Sequence, residues 1–215
     1  QLYQNGLKKK TVGKKCRATS WPKGPAMLNA GCGTNLLDDH LNLDIQASVT
    51  PDLVLDLSKP LDFEATHETK RFGPITLERG SFSHITANEI LEHVRDLVQT
   101  MCNFRDLLST GGTLYYKVPH EMSTGGWQDP THVRVFNEIS VLYFTKAADY
   151  LNWRNERFEL VTQRLLFTPY GKELQRQGIP EETIVRTPRA IENIEVILKK
   201  RDATDDEKHA FDILR

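Results

Sequence analysis

A short apolar segment that ends in a Gly-x-Gly turn is the feature that most constrains the fold of this chain. It reads Ala-Met-Leu-Asn-Ala-Gly-Cys-Gly over residues 26–33. Parallel α/β nucleotide sites begin in this way, because the strand brings the chain to the sheet edge and glycines allow a tight turn close to a ligand. Backbone amides beyond the glycines can then face an anionic or polar ligand. We therefore predict that residues 27–30 form the first strand of a parallel sheet.

The turn departs from the dinucleotide-binding fingerprint in two respects. Leu36 occupies the position of the third glycine, and the acidic residue Asp44 comes earlier than the spacing of about 20 residues that the fingerprint requires. These departures disfavour a nicotinamide cofactor and favour a different ligand on the same topology.

The composition fits one α/β domain with additions, since the chain has 215 residues, 39% hydrophobic residues and a net charge of −1. This balance gives no overall attraction to nucleic acid or to an anionic membrane. The three cysteines form no C-x-x-C pair, which favours a reduced, intracellular protein. We find no signal-peptide pattern and no apolar run of membrane-spanning length, and we expect a cytoplasmic protein.

Hydrophobic patterns after the turn predict a doubly wound sheet. Further strands are predicted at residues 41–45, 52–57, 82–87, 113–118, 158–167 and 194–200. Helices are predicted at residues 90–108, ended by Gly111 and Gly112, and at residues 136–150. Residues 62–80 are predicted to form a loop or a short hairpin.

The predicted domain covers residues 26–200, between a basic N-terminal arm at 1–25 and a charged tail at 201–215. The arm is interpreted either as a solvated extension or as a basic flap over an anionic substrate. Residues 168–190 form an insertion between the last two strands, which would cover the acceptor or form a dimer contact. The sequence does not determine the oligomeric state.

Several segments, in this order and spacing, resemble the class I S-adenosylmethionine-dependent methyltransferases. They are the glycine segment 28–33, Asn42-Leu43-Asp44, Asp56-Leu57, the segment Asn-Glu-Ile-Leu-Glu-His-Val at 88–94, the segment 107–112, and Val118-Pro119-His120. The resemblance implies a Rossmann-like, doubly wound, mostly parallel seven-stranded sheet whose last strand is antiparallel. It also implies S-adenosylmethionine as the cofactor.

The resemblance further implies where this cofactor is bound. Gly31 and Gly33 would lie beside its methionine end, and Asp44 would accept hydrogen bonds from both ribose hydroxyls. Asp56 would receive the adenine amino group.

Three other residues complete the implied cofactor site. The Leu57 amide would lie beside the adenine ring, and Asn88 would lie near the transferable methyl group. Asn29 stands where the family commonly has an acidic residue, so it would orient the loop or reach the cofactor amine without offering a negative charge. Asp44 and Asp56 are also common turn and cap residues, which is the structural alternative.

The loop after the fifth predicted strand contains the candidate catalytic residues, because this loop faces the ligand crevice in a doubly wound sheet. His120 or His132 would take a proton from a hydroxyl, Asp129 would orient one of them, and Arg134 would bind a carboxylate or phosphate. The Asp-Pro-Thr-His-x-Arg run is similar to one in methyltransferases found among surface-polysaccharide genes.

Structural roles are the alternative for each of these side chains. Asp129 would cap a turn, His132 would satisfy a buried carbonyl, and Arg134 would pair with a helix end. Glu92 and His93 are expected early on the predicted helix, with His93 as a packing or supporting residue. The trio His120, Asp129 and His132 matches no standard metal-site spacing, so we assign no metal to it.

We therefore expect methyl transfer to a hydroxyl or carboxylate oxygen of a small polar acceptor, with a sugar-like molecule as one candidate. We expect neither nucleic acid nor membrane as a partner. Three alternatives remain open: a nucleic-acid methyltransferase that uses the basic arm, a non-catalytic S-adenosylmethionine-binding partner subunit, and a nicotinamide-dependent oxidoreductase.

Overall fold

A computed structural model describes residues 26–213, which form a seven-stranded sheet and a separate two-stranded hairpin. In chain order the strands are β1 Met27–Ala30, β2 Leu41–Asp44, β3 Leu53–Val54, β4 Thr66–Thr69, β5 Gly73–Thr76, β6 Phe82–Asn88, β7 Leu108–Pro119, β8 Glu156–Phe167 and β9 Ile191–Asp202. The spatial order of the large sheet is β3-β2-β1-β6-β7-β9-β8, and β4 pairs with β5.

The first five strands of the large sheet run parallel, whereas β9 is antiparallel to both of its neighbours, β7 and β8. Ala30 is level with Leu43 of β2 and with Ala87 of β6. The carboxyl ends of the three central strands therefore meet at one edge, where ligands bind in open α/β sheets. The predicted mostly parallel sheet with an antiparallel last strand is confirmed.

The core lies on both faces of the central strands, which explains their nearly continuous apolar sequences. Leu28, Leu41, Ile85 and Leu114 have no measurable exposure. One face packs against a helix that buries Met101, Phe104 and Leu107. The buried strands thus set where the loops that follow them begin.

Five α-helices occur among the described residues: α1 Leu97–Leu107, α2 Gly125–Gln128, α3 Pro169–Arg176, α4 Glu181–Val185 and α5 Asp205–Ile213. Within residues 26–213, no helix has the length and apolar character needed to cross a membrane. The helices α3 and α4 occupy the predicted insertion, and α5 forms most of the charged tail. The predicted basic arm lies outside the described residues.

The helix predicted over residues 90–108 is corrected to the shorter α1. Asp96 is its N-cap and accepts a hydrogen bond from the Gln99 amide at 2.9 Å. Before it, Glu89 has φ +53° and the chain makes a turn. Leu91 is buried by this turn at a spacing that imitates a helical face, which is why periodicity alone misplaced the start.

The predicted helix stop at Gly111 and Gly112 was also wrong, because both glycines lie inside β7. Here the pairing with β6 shifts register, so that Phe82 is level with Leu108 while His84 is level with Thr113. Gly111 has φ +85°, and a Cβ on Gly112 would lie 2.9 Å from the Ser109 carbonyl oxygen. The glycines therefore accommodate an irregular strand pairing rather than a helix end.

Two other predicted elements are shorter than expected. The strand predicted over residues 52–57 contains only β3, and the helix predicted over 136–150 is replaced by 3₁₀ turns at Ser140–Phe144 and Ala148–Leu151. Asn137 accounts for part of the second difference, since its side chain accepts hydrogen bonds from the Ile139 amide at 3.2 Å and from the Ser140 hydroxyl at 3.1 Å. Such local side-chain bonds compete with helix formation.

Candidate active site

The glycine turn follows β1 and is fastened to the neighbouring strand. The amides of Gly31 and Cys32 both donate to the Leu43 carbonyl oxygen, at 2.8 and 3.0 Å. Gly31 and Gly33 have φ of +66° and +50°, a region that favours glycine. A Cβ on Gly33 would meet no atom within 4 Å. The backbone is therefore open to a ligand at Gly33.

Asp44 ends β2 directly beside this turn, and 8% of its surface is exposed. Its Oδ2 accepts the Gly33 amide at 2.8 Å, and its Oδ1 accepts the Gln46 amide at 2.8 Å. A carboxylate has about four acceptor positions, so capacity remains for two hydroxyl donors. Asp44 thus shapes the glycine turn and keeps the capacity that ribose binding requires.

The side chain of Asn29, which is only 4% exposed, forms hydrogen bonds near the glycine turn. Its Nδ2 donates to the Asn35 carbonyl at 2.8 Å and to the Asn42 side-chain oxygen at 2.9 Å. Asn42 in turn donates to Leu37 O at 2.9 Å and to Asp52 Oδ2 at 3.1 Å. The Asn29 amide nitrogen is thus engaged by the protein itself, with one bond to the loop after the glycines and one to β2.

Arg71, in the hairpin turn between β4 and β5, completes this network. Its Nε and Nη2 donate to the two carboxylate oxygens of Asp52, each at 2.7 Å. It also donates to the carbonyls of Asp38 at 3.0 Å and His40 at 2.6 Å. Burial alone would raise the pKa of Asp52, but hydrogen bonds from Arg71 and Asn42 outweigh it and lower that pKa. The hairpin thus braces the segment that follows the glycines.

Asp56 and Leu57 lie just beyond β3. Asp56 Oδ1 accepts both the amide and the hydroxyl of Ser58, at 2.9 and 2.6 Å, and these bonds hold the pKa of Asp56 below its usual range. Within the described residues both bonds use Oδ1, which leaves Oδ2 for a ligand. The Leu57 carbonyl is held by Thr100 and Asn103 of α1, at 3.1 and 2.8 Å.

Asn88 ends β6 at the same sheet edge and is exposed. It is level with Lys117 of β7, whose ammonium pairs with Glu89 at 2.9 Å. The structure therefore brings Asn88 to the edge that carries the glycine turn and Asp44, because the parallel strands end in register.

His120 is enclosed, with no exposed surface. Its Nδ1 accepts the Met122 amide at 3.1 Å, so the proton of the neutral ring is on Nε2. This Nε2 lies 3.5 Å from Glu138 Oε2 and makes no hydrogen bond within the described chain. As placed here, His120 holds the start of the loop and does not face a crevice.

His132 and His93 lie together, with ring centroids 4.6 Å apart and an interplanar angle of 77°. His132 Nδ1 lies 3.2 Å from the Gly126 carbonyl, which can only accept. The Thr131 hydroxyl donates to Asp129 Oδ1 at 2.7 Å, so it must accept from His93 Nδ1 at 2.9 Å. In the neutral form, each ring therefore carries its proton on Nδ1 and has an acceptor lone pair on Nε2.

Glu92 faces these two rings from a buried position, with 1% of its surface exposed. Its Oε2 is buried and makes no hydrogen bond to any described residue. Burial raises the pKa of Glu92 to about 7, because the charged form is poorly solvated. One ligand atom from each of Glu92, His93 and His132 lies within 4.8 Å of the others.

Arg134 fixes the segment that carries Glu92 and His93. Its guanidinium donates to the carbonyls of Leu91 at 2.8 Å and Arg95 at 2.9 Å, and also to that of Val94. These carbonyls belong to the turn before α1, so Arg134 holds this turn rather than pairing with a helix end. Arg134 also lines a cavity of about 390 Å³ whose other lining residues are mostly apolar.

The structure thus brings together Asp129 and His132 of the four predicted catalytic residues, and their Oδ2 and Nε2 atoms lie 4.0 Å apart. Sequence reasoning missed the central position of Glu92 and His93, because it placed both on a helix. The available signal was their position four and five residues after the end of β6, on the segment that leaves the sheet edge.

No protein-family model matches this sequence, and no curated relative does either. Solved structures are similar in fold. A SAM-dependent methyltransferase from Archaeoglobus fulgidus is 13% identical and has a TM-score of 0.51, over 80% of this chain and 85% of that one. The [4+2]-cyclase SpnF is 14% identical and has a TM-score of 0.53, over 84% of this chain and 76% of that one.

A third similar structure comes from the complex between the Trm112 methyltransferase activator of Haloferax volcanii and a methyltransferase. It is 16% identical and has a TM-score of 0.50, over 85% of this chain and 86% of that one. The cyclase shows that this architecture is not restricted to one reaction. The chain is therefore similar in fold, over most of its length, to Rossmann-like proteins that include S-adenosylmethionine-dependent methyltransferases.

Proposed function

We propose that this protein is an S-adenosylmethionine-dependent methyltransferase that acts on an oxygen of a small polar acceptor. The observation that carries this proposal is the contact between Asp44 Oδ2 and the Gly33 amide at 2.8 Å. It joins a ribose-binding carboxylate to a glycine turn whose outer side is open. The lack of a third glycine, with Leu36 in its place, argues against a nicotinamide cofactor.

The residues of the chain would divide the work of binding. Asp44 keeps a spare acceptor position on each of its oxygens for the ribose hydroxyls. Asp56 keeps its Oδ2 for the adenine amine, and Asn88 borders the space beyond the turn. Bound S-adenosylmethionine would supply an electrophilic methyl group. The enzyme then needs mainly to hold the acceptor oxygen close and aligned.

The acceptor side is polar where it meets the sheet edge. Glu92, His93 and His132 each place a polar atom within 4.8 Å of the others, which suits a hydroxyl-bearing molecule better than an apolar one. Trp127, in the same loop, is 72% exposed and offers an apolar ring face, while its Nε1 donates to the Glu121 carbonyl at 2.9 Å. A sugar-like acceptor fits this combination.

Calorimetric titration with S-adenosylmethionine and S-adenosylhomocysteine tests the cofactor. We expect binding by the wild type and a loss of about 10- to 100-fold in Asp44→Asn and Asp56→Ala, since hydrogen bonds to a charged group contribute about 1.5–3 kcal/mol. Asp62→Ala removes an exposed carboxylate elsewhere and should bind like the wild type.

Unaltered binding by both site variants, or no binding by the folded wild type, would overturn the proposal. Binding of NADH instead would favour the oxidoreductase alternative. A salt-dependent gel shift with RNA or DNA would favour a nucleic-acid acceptor. Cofactor binding without methyl transfer to any oxygen nucleophile would favour the non-catalytic partner subunit.

A further inference from the structure

We propose that Glu92, His93 and His132 bind a divalent transition-metal ion of the zinc type. The three side chains come from two segments that lie far apart in sequence and meet only in the folded chain. The Glu92 carbonyl accepts the Val133 amide at 2.9 Å, which holds the two segments side by side. Arg134 fixes the first segment through three backbone carbonyls.

The tautomers of the two histidines are those that a metal site needs. A metal-bound histidine donates its other ring N–H to a carboxylate, a carbonyl or a similar acceptor, and this fixes the ring. His132 Nδ1 donates to the Gly126 carbonyl at 3.2 Å, and His93 Nδ1 donates to the Thr131 hydroxyl at 2.9 Å. Thr131 passes this interaction to Asp129 at 2.7 Å. Both Nε2 atoms are therefore available as ligands.

The buried carboxylate provides the second, independent observation. Glu92 Oε2 has no hydrogen-bond partner in residues 26–213, although the residue is only 1% exposed. A buried charge without a partner is costly, and a cation removes that cost.

The spacing of the ligand atoms suits one ion. One ligand atom of each residue lies within 4.8 Å of the others, whereas two ligands of a tetrahedral ion at about 2.1 Å are about 3.4 Å apart. Small side-chain rotations close that difference. Two imidazoles and one carboxylate favour zinc and its transition-metal neighbours over magnesium or calcium, which prefer all-oxygen sites.

An ion with three protein ligands keeps at least one position open. The catalytic role of this ion rests on the proposed methyltransferase function. In that case an oxygen of the methyl acceptor takes the open position. The ion would orient this oxygen at the sheet edge where the glycine turn lies and favour its deprotonated form. The chemical class of acceptor would then be one with a hydroxyl, or two adjacent hydroxyls, able to coordinate a metal.

Metal titration of the untagged, chelator-treated full chain tests the site. We expect one equivalent of Zn²⁺ or Co²⁺ by calorimetry, a Co²⁺ absorption band typical of nitrogen and oxygen ligands, and much weaker Mg²⁺ binding. His132→Ala and Glu92→Gln should each weaken Zn²⁺ binding by about 100-fold or more. Thr131→Val alters only the support of His93 and should weaken it by about 10-fold.

His67→Ala, in the hairpin strand β4, is the matched control and should bind the metal like the wild type. Circular dichroism confirms that each variant is folded, and Glu92→Gln keeps the volume of the side chain in case His132→Ala does not fold. Absence of a one-to-one complex with the wild type, or equal affinity in the folded site variants, would overturn the proposal.

The metal proposal and the methyltransferase proposal fail separately. S-adenosylmethionine titration of the chelated protein reports on the cofactor alone, and Zn²⁺ titration without the cofactor reports on the metal alone. Metal binding without cofactor binding would leave the site standing and remove its catalytic interpretation.

Discussion

Gly31 and Ile90 are in such close contact that a methyl group on the Gly31 Cα would lie 2.2 Å from Ile90 Cδ1. Gly31 also has φ +66°, a conformation that other residues rarely adopt. The contact joins the turn after β1 to the segment after β6. It therefore ties the glycine turn to the segment that carries Glu92 and His93.

Gly31→Ala should consequently destabilise the fold more than Gly33→Ala. Both substitutions place alanine at positive φ, at a cost of about 1–2 kcal/mol, but only the first adds overpacking of about 1–3 kcal/mol. Urea denaturation of both variants measures the difference in the free energy of unfolding. In an Ile90→Ala background, Gly31→Ala should cost less, because only the Cβ of residue 90, at 2.8 Å, then remains close to the new methyl group. Equal losses at the two glycines would contradict the packing argument.

Arg71→Met should lower the free energy of unfolding by about 2–3 kcal/mol. It leaves the carboxylate of Asp52, whose side chain is only 3% exposed, without its bidentate partner. The figure is below that of a fully buried pair because the Arg71 side chain is 34% exposed. Arg79→Met is the control: its side chain is 63% exposed in the pair with Asp106, and the expected cost is below about 1 kcal/mol.

The same Arg71→Met variant should also weaken cofactor binding, because residues 37–40 lose their attachment to the hairpin. Calorimetry with S-adenosylhomocysteine measures this effect. If Arg71→Met is less stable but binds S-adenosylhomocysteine with unchanged affinity, the contacts of Arg71 matter for folding only.

Glu207, in the first turn of α5, makes a pH-dependent contribution to the free energy of unfolding. Two hydrogen bonds from Arg201, at 2.8 and 2.7 Å, lower the pKa of Glu207 to about 2 from an ordinary value of 4.5. Because the folded-state pKa is depressed, the stabilisation is complete above the ordinary value and is lost as the pH falls toward 2.

Glu207→Gln should therefore cost about 1 kcal/mol at pH 6, since both partners are about one-third exposed and are screened by water. The difference from the wild type should shrink steadily below about pH 4.5. Unfolding by urea at several pH values measures this difference. In the control Glu64→Gln, which removes an exposed carboxylate, the free energy of unfolding should follow that of the wild type at every pH. A difference that grows with acid would contradict the assignment.

The sheet could be predicted because each central strand has a local signature. The segment at Met27–Ala30 is bounded by a glycine turn, and the strand Leu41–Asp44 ends in a polar residue, so both were predicted to within one residue. Parallel register then places Gly31, Asp44 and Asn88 at one edge without further information. The edge that we propose binds the cofactor is thus encoded locally.

The acceptor side could not be predicted in the same way, because its contacts are non-local. His93 and Thr131 are joined by a hydrogen bond across 38 positions in sequence, and Arg134 reaches Leu91 across 43. The apolar spacing of residues 90–108 imitates a helix, and nothing local reveals that a turn buries Glu92. The contact between Arg71 and Asp52 is also non-local, because the β4–β5 hairpin brings Arg71 to Asp52. The sequence predicted a loop or short hairpin here but not its supporting role.

The pairing of β8 with β9 shifts register between Leu160 and Thr162, and this irregularity affects how copies of the protein meet. The strand β8 is a twelve-residue edge of the sheet, and an edge of that length is a template for another chain. Among residues 26–213 no strand pairs with the outer side of β8, where the bulge interrupts the row of backbone groups and Glu159 and Arg164 place exposed charges. At the opposite edge, β3 has only two residues. Both edges therefore disfavour growth of the sheet from one copy into the next, which protects the protein against aggregation through its strands.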